Sequence, residues 1–145
     1  MCDQDDPPLH RSWSIWVTTP LNHSTLKTLT AKERAAEATS KAVADTLTKE
    51  ISFDTVCKFW SIYNAYGNGS GVVKNAALYI FADEIKPSWE DPANLSGGRW
   101  SMSYNSDEVS DLVDTDWMES CLHLIGETFY RNLSDQVVGI ALTPK

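Results

Sequence analysis

The feature that most constrains the fold is an apolar stripe with helical spacing in the middle of the chain. Large apolar side chains recur at positions 53, 56, 60 and 63 and again at 59, 62 and 66. This spacing predicts an amphipathic helix over 53–66 with a wide apolar face, and Ser52 is a suitable N-cap. A Gly-rich stretch at 67–71 then ends the helix.

Shorter segments on both sides of this helix have the composition of strands. We expect strands over four segments: 13–17, 76–81, 99–104 and 136–142. The third segment alternates Trp100, Met102 and Tyr104, which is typical of a strand with one buried face. These segments therefore predict a sheet whose strands lie both before and after the central helix in the sequence.

A second helix is expected near the end of the chain. The acidic positions 107–114 suit a helix N-terminus, and the helix should run to about Ile125 with Gly126 as its C′ residue. The order β–α–β–β–α–β predicts an α+β fold, with helices packed on one face of an antiparallel sheet.

The domain organisation follows from length and local composition. A chain of 145 residues is the usual size of one domain, which we place at 9–145. Residues 1–8 are acidic and Pro-rich and are expected to form a flexible tail. Residues 18–52 are expected to form an extended loop insertion. Thr30 to Glu33 fit a capping box before an Ala-rich run, so this insertion is expected to be partly helical.

Charge and cysteine content exclude several classes of protein. The net charge is −8, which argues against extensive binding to nucleic-acid phosphates but not against reading one nucleotide in a pocket. Three cysteines without a CxxC pair suggest neither a disulfide framework nor a zinc site, and Cys57 and Cys121 are expected to be inert thiols. Without a signal peptide or membrane span, a cytoplasmic location is expected.

The loop Ile85 to Pro92 carries the chemistry that most indicates a function. Trp89 lies between two prolines and is followed by Glu90. An exposed indole attracts a flat cationic ring, and a carboxylate accepts the two parallel N–H bonds that the edge of guanine offers. The pair therefore fits 7-methylguanine. The alternative is that Trp89 covers the core and Glu90 is a surface acid.

The chain also contains three longer motifs, ISFDTVCKFWSIYNAY, IKPSWEDPANLSGGRW and WMESCLHLIGETF. They resemble those of the eukaryotic translation initiation factor 4E family, which binds the 7-methylguanosine cap of mRNA. Together with WSIW and SDQVVG, the likeness covers residues 8–17 and 51–145. The resemblance implies a curved antiparallel sheet with helices on its convex face. It also implies a monomeric binding protein without a cofactor, rather than an enzyme.

The resemblance assigns four residues to the cap. Trp89 corresponds to one of two tryptophans that sandwich the methylated base, with its backbone N–H facing O6. Glu90 corresponds to the acid that accepts N1–H and N2–H. Arg99 and Lys145 correspond to basic residues near the phosphates. The alternative for Arg99 is a turn-closing bond or a pair with Asp91.

The resemblance also implies a second surface. On the convex face the family binds a scaffold or repressor helix with a Tyr-x-x-x-x-Leu-hydrophobic motif, which is helix-in-groove recognition around an exposed Trp. The matching positions are Pro8, Val56, Trp60, Met118, Glu119, Leu122 and Gly126. The alternative is that Val56 and Trp60 pack only into the core.

The chain departs from the family pattern in two places. Residues 18–52 contain no Phe, Tyr or Trp to form the second face of the sandwich, and His23 is their only ring. The family also continues past Lys145 with a further strand, a basic loop and a closing helix. The resemblance therefore implies a divergent member with a long first loop and a short C-terminus, and the alternative is that the sequence is a fragment.

Two other functions stay open at this stage. A member that has lost useful cap affinity would act as a scaffold-binding repressor or decoy. An enzyme would use Glu90 and Asp91 as an acid–base pair on a bound nucleotide.

Overall fold

A four-stranded antiparallel sheet is the centre of the computed structural model, which describes residues 5–18, 47–66, 69–72, 76–105, 110–129 and 135–143. The strands are β1 (Pro8–Thr18), β2 (Leu47–Thr55), β3 (Ala77–Ala82) and β4 (Gly139–Leu142). The helices are α1 (Val56–Tyr66), α2 (Gly69–Val72) and α3 (Ser110–Ile125). The α+β class is confirmed. No helix of the described part is long and apolar enough to cross a membrane.

One face of the sheet is covered by the helices. The strands run in the order β2–β1–β3–β4, and Ile15 of β1 lies opposite both Ile51 and Ile80. Side chains alternate between the faces of a strand, so Ile15 and Ile80 point to one side. On that side they form a buried core with residues from both long helices: Phe59, Trp117, Cys121, Leu124 and Ile125.

The start of α1 differs from the prediction. Phe53 was expected inside the helix, but it lies in β2 opposite Trp13 and is buried there. Ser52 was expected to cap the helix, but its hydroxyl lies 2.9 Å from that of Ser14 in β1. The helical stripe therefore begins only at Val56. Phe53 fits the helical spacing because it lies three positions before Val56, although it belongs to the strand.

Residues before β1 complete the N-terminus of α1. The N–H of Val56 donates to the Pro7 carbonyl at 3.1 Å, and the N–H of Cys57 donates to Asp6 Oδ1 at 2.9 Å. The free N–H groups of a first helical turn need such acceptors. Asp6 and Pro7 belong to the segment expected to be a tail, so at least this part of it contacts the domain.

Two segments differ from the predicted order of elements. Residues 47–52, expected to end a long loop, are part of β2, so the observed order begins β–β–α. The Ala-rich part of that loop lies outside the described residues. The strand predicted over 99–104 is wrong: none of these residues is in a strand, and Trp100 is 100% exposed. A strand needs a paired neighbour, and no described strand pairs with this segment.

The end of α3 is a Schellman motif. The N–H of Thr128 donates to the His123 carbonyl at 3.0 Å, and the N–H of Glu127 donates to the Leu124 carbonyl at 3.1 Å. This pattern places Glu127 at C′, where its φ is 52°. The prediction that Gly126 is the C′ residue is wrong by one position. The helix is described from Ser110, and positions 107–109 of its predicted start lie outside the described residues.

The two cysteines that were predicted to be inert thiols differ in state. Cys121 is a free thiol without exposed surface, and burial raises its pKa to about 12. It is therefore protonated and unreactive at neutral pH. Cys57 is disulfide-bonded, so the prediction of an inert thiol is wrong at that position.

Candidate functional site

The segment that follows β3, residues 83–105, is called here the Trp89 loop. Its start is fixed to the sheet by Asp83, whose N–H donates to the Ser12 carbonyl at 2.8 Å and whose carbonyl accepts the Ser14 hydroxyl at 2.8 Å. Two residues later, Ile85 packs against the core. The sheet therefore fixes where the loop begins.

Two polar side chains hold the interior of the loop. Asp91 Oδ2 accepts the N–H of Lys86 and Oδ1 accepts the N–H of Ala93, both at 2.9 Å. Asn94 Nδ2 donates to the carbonyls of Lys86 at 2.9 Å and Ser88 at 2.7 Å. The backbone on both sides of the Trp89 and Glu90 pair is thus joined by side chains.

Trp89 and Glu90 stay outside the core. Trp89 is 45% exposed, and Glu90 is exposed as well. Among the described residues, the hydrogen bond to the Glu90 carboxylate is a long one, 3.4 Å from the Ser88 hydroxyl. The structure thus places a partly open indole beside a carboxylate that retains acceptor capacity, and it does not show the alternative in which Trp89 covers the core.

The Asp91 carboxylate differs from that of Glu90 in how many hydrogen bonds it already accepts. Both oxygens of Asp91 already accept backbone N–H groups, whereas Glu90 is held only weakly. A carboxylate engaged in this way is not available as the second member of an acid–base pair with Glu90. It is also not paired with Arg99, the alternative that the sequence left open for that residue.

Arg99 is exposed. Burial raises the pKa of the Tyr79 hydroxyl, and the positive charge of the Arg99 guanidinium opposes this shift. Tyr79 alternates with Leu78 and Ile80, which belong to the core beneath the helices, so the Tyr79 side chain points to the helix-free face of the sheet. Lys145 lies outside the described residues.

The residues predicted to bind a partner lie on or next to the two long helices. We call them the helix-side surface: Pro8, Val56, Trp60, Met118, Glu119, Leu122 and Gly126. Met118 and Leu122 are 38% and 40% exposed and lie one turn apart on α3. Val56 and Trp60 of α1 are half-buried, so they do not pack only into the core.

The Trp60 ring is fixed by aromatic neighbours. Its centroid is 5.1 Å from that of Phe59 and 5.7 Å from that of Tyr63, in edge-to-face arrangements. Phe59 is buried in the core, so the position of Trp60 depends on the packing of α1 against the sheet. At one side of the surface, His10 Nδ1 lies 2.7 Å from Glu127 Oε2.

Sequence reasoning missed the roles of Asp91 and Asn94. An Asp that accepts the N–H two residues ahead is a common turn pattern, so the bond from Ala93 had a local signal. The bonds to Lys86 had none, because they join residues five and eight positions apart.

Comparison with known proteins identifies the family. The model of the eukaryotic initiation factor 4E family matches residues 8–145. Initiation factor 4E-1 of Caenorhabditis elegans is 32% identical over 126 residues, 87% of this chain and 51% of that protein. Initiation factor 4E of Candida albicans is 31% identical over 136 residues, 93% of this chain and 57% of that protein. The chain spans about half the length of the curated relatives it matches.

Solved structures agree in fold. Ascaris suum eIF4E-3 in complex with an m2,2,7G cap superposes with a TM-score of 0.76 at 28% identity, covering 97% of this chain and 68% of that one. Caenorhabditis elegans eIF4E-3 in complex with the 4E-binding protein Mextli gives 0.73 at 26% identity, covering 97% and 70%. The chain belongs to the eukaryotic initiation factor 4E family.

Proposed function

We propose that this chain acts in translation initiation in the cytoplasm by binding the 7-methylguanosine cap of mRNA at Trp89 and Glu90. The observation that carries the proposal is the exposed indole beside a weakly engaged carboxylate. Membership of the family and the solved cap complex of an Ascaris suum relative support it.

The recognition step follows from the charge of the base. Methylation at N7 makes the guanine ring cationic, and the face of an indole attracts a cation by about 0.5–2 kcal/mol. The Glu90 carboxylate accepts N1–H and N2–H of the same base, which are the donors that distinguish guanine from adenine. The N–H of Trp89 donates to no acceptor among the described residues, so it is available to O6. We assign Arg99 and Lys145 to the phosphates, as the family motifs imply.

The test is a tryptophan fluorescence titration with 7-methyl-GTP, with GTP as the control ligand. We expect saturable quenching by the methylated nucleotide that Trp89→Ala abolishes. Trp100→Ala is the matched control, because Trp100 is fully exposed in the same loop and has no role in the proposal. A titration in which Trp89→Ala still binds like the unmodified chain would contradict the proposed site.

The second part of the proposal is that the helix-side surface binds a helix with a Tyr-x-x-x-x-Leu-hydrophobic motif. Met118 and Leu122 form an apolar stripe one turn long, and Trp60 lies on the other long helix. A relative from Caenorhabditis elegans has been solved with the 4E-binding protein Mextli. A peptide with this motif should bind, and Trp60→Ala should weaken it by more than tenfold, since central interface tryptophans dominate such contacts. Leu112→Ala, another exposed leucine of α3, should leave peptide binding unchanged.

The second candidate function is a scaffold-binding repressor or decoy with little cap affinity. It is favoured by the lack of a Phe, Tyr or Trp in residues 18–52 to cover the other face of the base. Loss of one stacking face weakens binding by about 1–3 kcal/mol. Peptide binding without any response to 7-methyl-GTP would favour this function over the first.

A further inference from the structure

We propose that Asp91 and Asn94 are positioning residues that hold Trp89 and Glu90 in a binding-competent arrangement before the ligand arrives. This inference rests on the proposed function. Neither residue is assigned a contact with the base or the phosphates. They act through the backbone of the Trp89 loop, and we refer to the pair as the loop clasp.

Asp91 closes the loop with both of its oxygens. One accepts the N–H of Lys86, before Trp89 in the chain, and the other accepts the N–H of Ala93, after it, each at 2.9 Å. Hydrogen bonds to an ionised carboxylate are stronger than those between neutral groups. The carboxylate thereby fixes the distance between the two ends of a segment that contains Trp89 and Glu90.

Asn94 adds two bonds of the opposite sense. Its Nδ2 group donates to the carbonyls of Lys86 and Ser88, at 2.9 and 2.7 Å, and so uses both of its hydrogens. Both backbone groups of Lys86 are thus held by side chains, the N–H by Asp91 and the carbonyl by Asn94. The two residues constrain the loop together.

The part of the loop that carries Trp89 and Glu90 needs these hydrogen bonds because it does not pack against the apolar core. Ile85 packs against the core, but Trp89 lies outside that cluster and is 45% exposed. A flexible loop would have to be ordered on binding, which lowers affinity, and a loop that is already ordered avoids that loss. The clasp also explains why two adjacent carboxylates differ: Asp91 binds backbone, and Glu90 is left for the ligand.

The experiment compares 7-methyl-GTP affinity in the full chain and in two variants, Asp91→Asn and Asn94→Ala. We expect each variant to bind roughly tenfold more weakly, since each loses at least one side-chain bond to the backbone. The direction is informative for Asp91→Asn. Removing a negative charge near an anionic nucleotide would by itself strengthen binding, so a loss of affinity reports loop position rather than electrostatics.

Two further measurements separate positioning from general stability. The preference for 7-methyl-GTP over GTP should fall in both variants, because the stack and the Glu90 bonds depend on the loop. The urea midpoint and the affinity for the motif peptide should stay unchanged. Ser96→Ala, in the same loop, and Asp111→Asn, an exposed acid on α3, are the matched controls and should behave as the unmodified chain.

The outcomes distinguish a failure of the loop clasp from a failure of the proposed cap binding. If the unmodified chain binds 7-methyl-GTP and both variants bind within twofold of it, the loop clasp is overturned and the proposed function stands. If the unmodified chain, shown to be folded, does not bind 7-methyl-GTP, the proposed function is overturned and the inference falls with it.

Discussion

The Trp89 loop and the helix-side surface are held in place by different kinds of interaction. The loop is joined by four hydrogen bonds from two side chains to its own backbone. The helix-side surface rests on an apolar core that α1 and α3 share with the sheet. Single polar substitutions should therefore disorder the loop without unfolding the chain. The helix-side surface should lose its structure only when the apolar core beneath it unfolds.

The largest effect is expected when the core under the helix-side surface is emptied. Phe59 is the buried residue of α1 in the core beneath the helices. Its ring contacts those of Phe53, Trp60 and Tyr63. Phe59→Ala should lower the free energy of unfolding by about 3–5 kcal/mol, because it leaves a cavity. Urea denaturation measures this change. Leu112→Ala, on an exposed part of α3, should change it by less than about 0.5 kcal/mol. A loss of less than about 1 kcal/mol of unfolding free energy for Phe59→Ala would contradict the view that the core holds the helix-side surface in place.

A smaller effect is expected at the end of the sheet from which the loop departs. A Cβ at Gly139 would lie 2.3 Å from Cδ2 of Phe81, a distance that side chains do not tolerate. Gly139→Ala should therefore move Phe81 and lower the unfolding free energy by about 1–3 kcal/mol. Because β3 leads into the Trp89 loop, nucleotide binding should weaken more than peptide binding. Ala141→Ser, at an exposed position of the same strand, is the control. If Gly139→Ala weakens nucleotide binding and peptide binding equally, the link between β3 and the Trp89 loop is contradicted.

The third prediction concerns a contact between the Trp89 loop and α3. The Tyr104 hydroxyl donates to Asp116 of α3, and this bond raises the pKa of Tyr104 to about 12. Tyr104→Phe should lower the unfolding free energy by about 1 kcal/mol. Tyr63→Phe is the matched control: the Tyr63 hydroxyl is buried and has no hydrogen-bond partner among the described residues, so its removal should be neutral or stabilising.

The same bond has a pH dependence of known sign. The pKa of Tyr104 is higher in the folded than in the unfolded chain, so its contribution is complete below pH 10 and is lost as the pH rises toward about 12. Urea denaturation between pH 8 and 11 should show a decline in stability that is reduced in Tyr104→Phe. An identical decline in both proteins would show that other groups cause it.

The smallest effect is expected at the end of α3. Glu127 has a φ of 52°, a conformation that glycine adopts without strain. Glu127→Gly should raise the unfolding free energy by about 0.5 kcal/mol, because glycine relieves this strain. The variant also loses the contact between the Glu127 carboxylate and His10 Nδ1, which His10→Gln tests separately. A fall in the unfolding free energy for Glu127→Gly would show that the side-chain contacts of Glu127 outweigh the relief of strain.

The sequence alone determined the elements whose signals are local. The apolar spacing after Val56, the buried run of β3 and the helix that ends at Ile125 are each visible within one continuous segment of the sequence. The proline-flanked position of Trp89 also predicted correctly that it lies outside helices and strands. The family motifs identified the fold class, although they could not test the role of any single residue.

Only the tertiary structure decided which residues pair across long distances in sequence. Phe53 became a strand residue because Trp13 lies opposite it, and residues 99–104 form no strand because no described strand pairs with them. Asp91 and Glu90 look equivalent in sequence, and they differ because Lys86 and Ala93 turn their N–H groups toward one carboxylate and not the other. Hydrophobic spacing is a property of neighbouring residues, whereas strand pairing and backbone hydrogen bonds depend on partners that only the folded chain brings together.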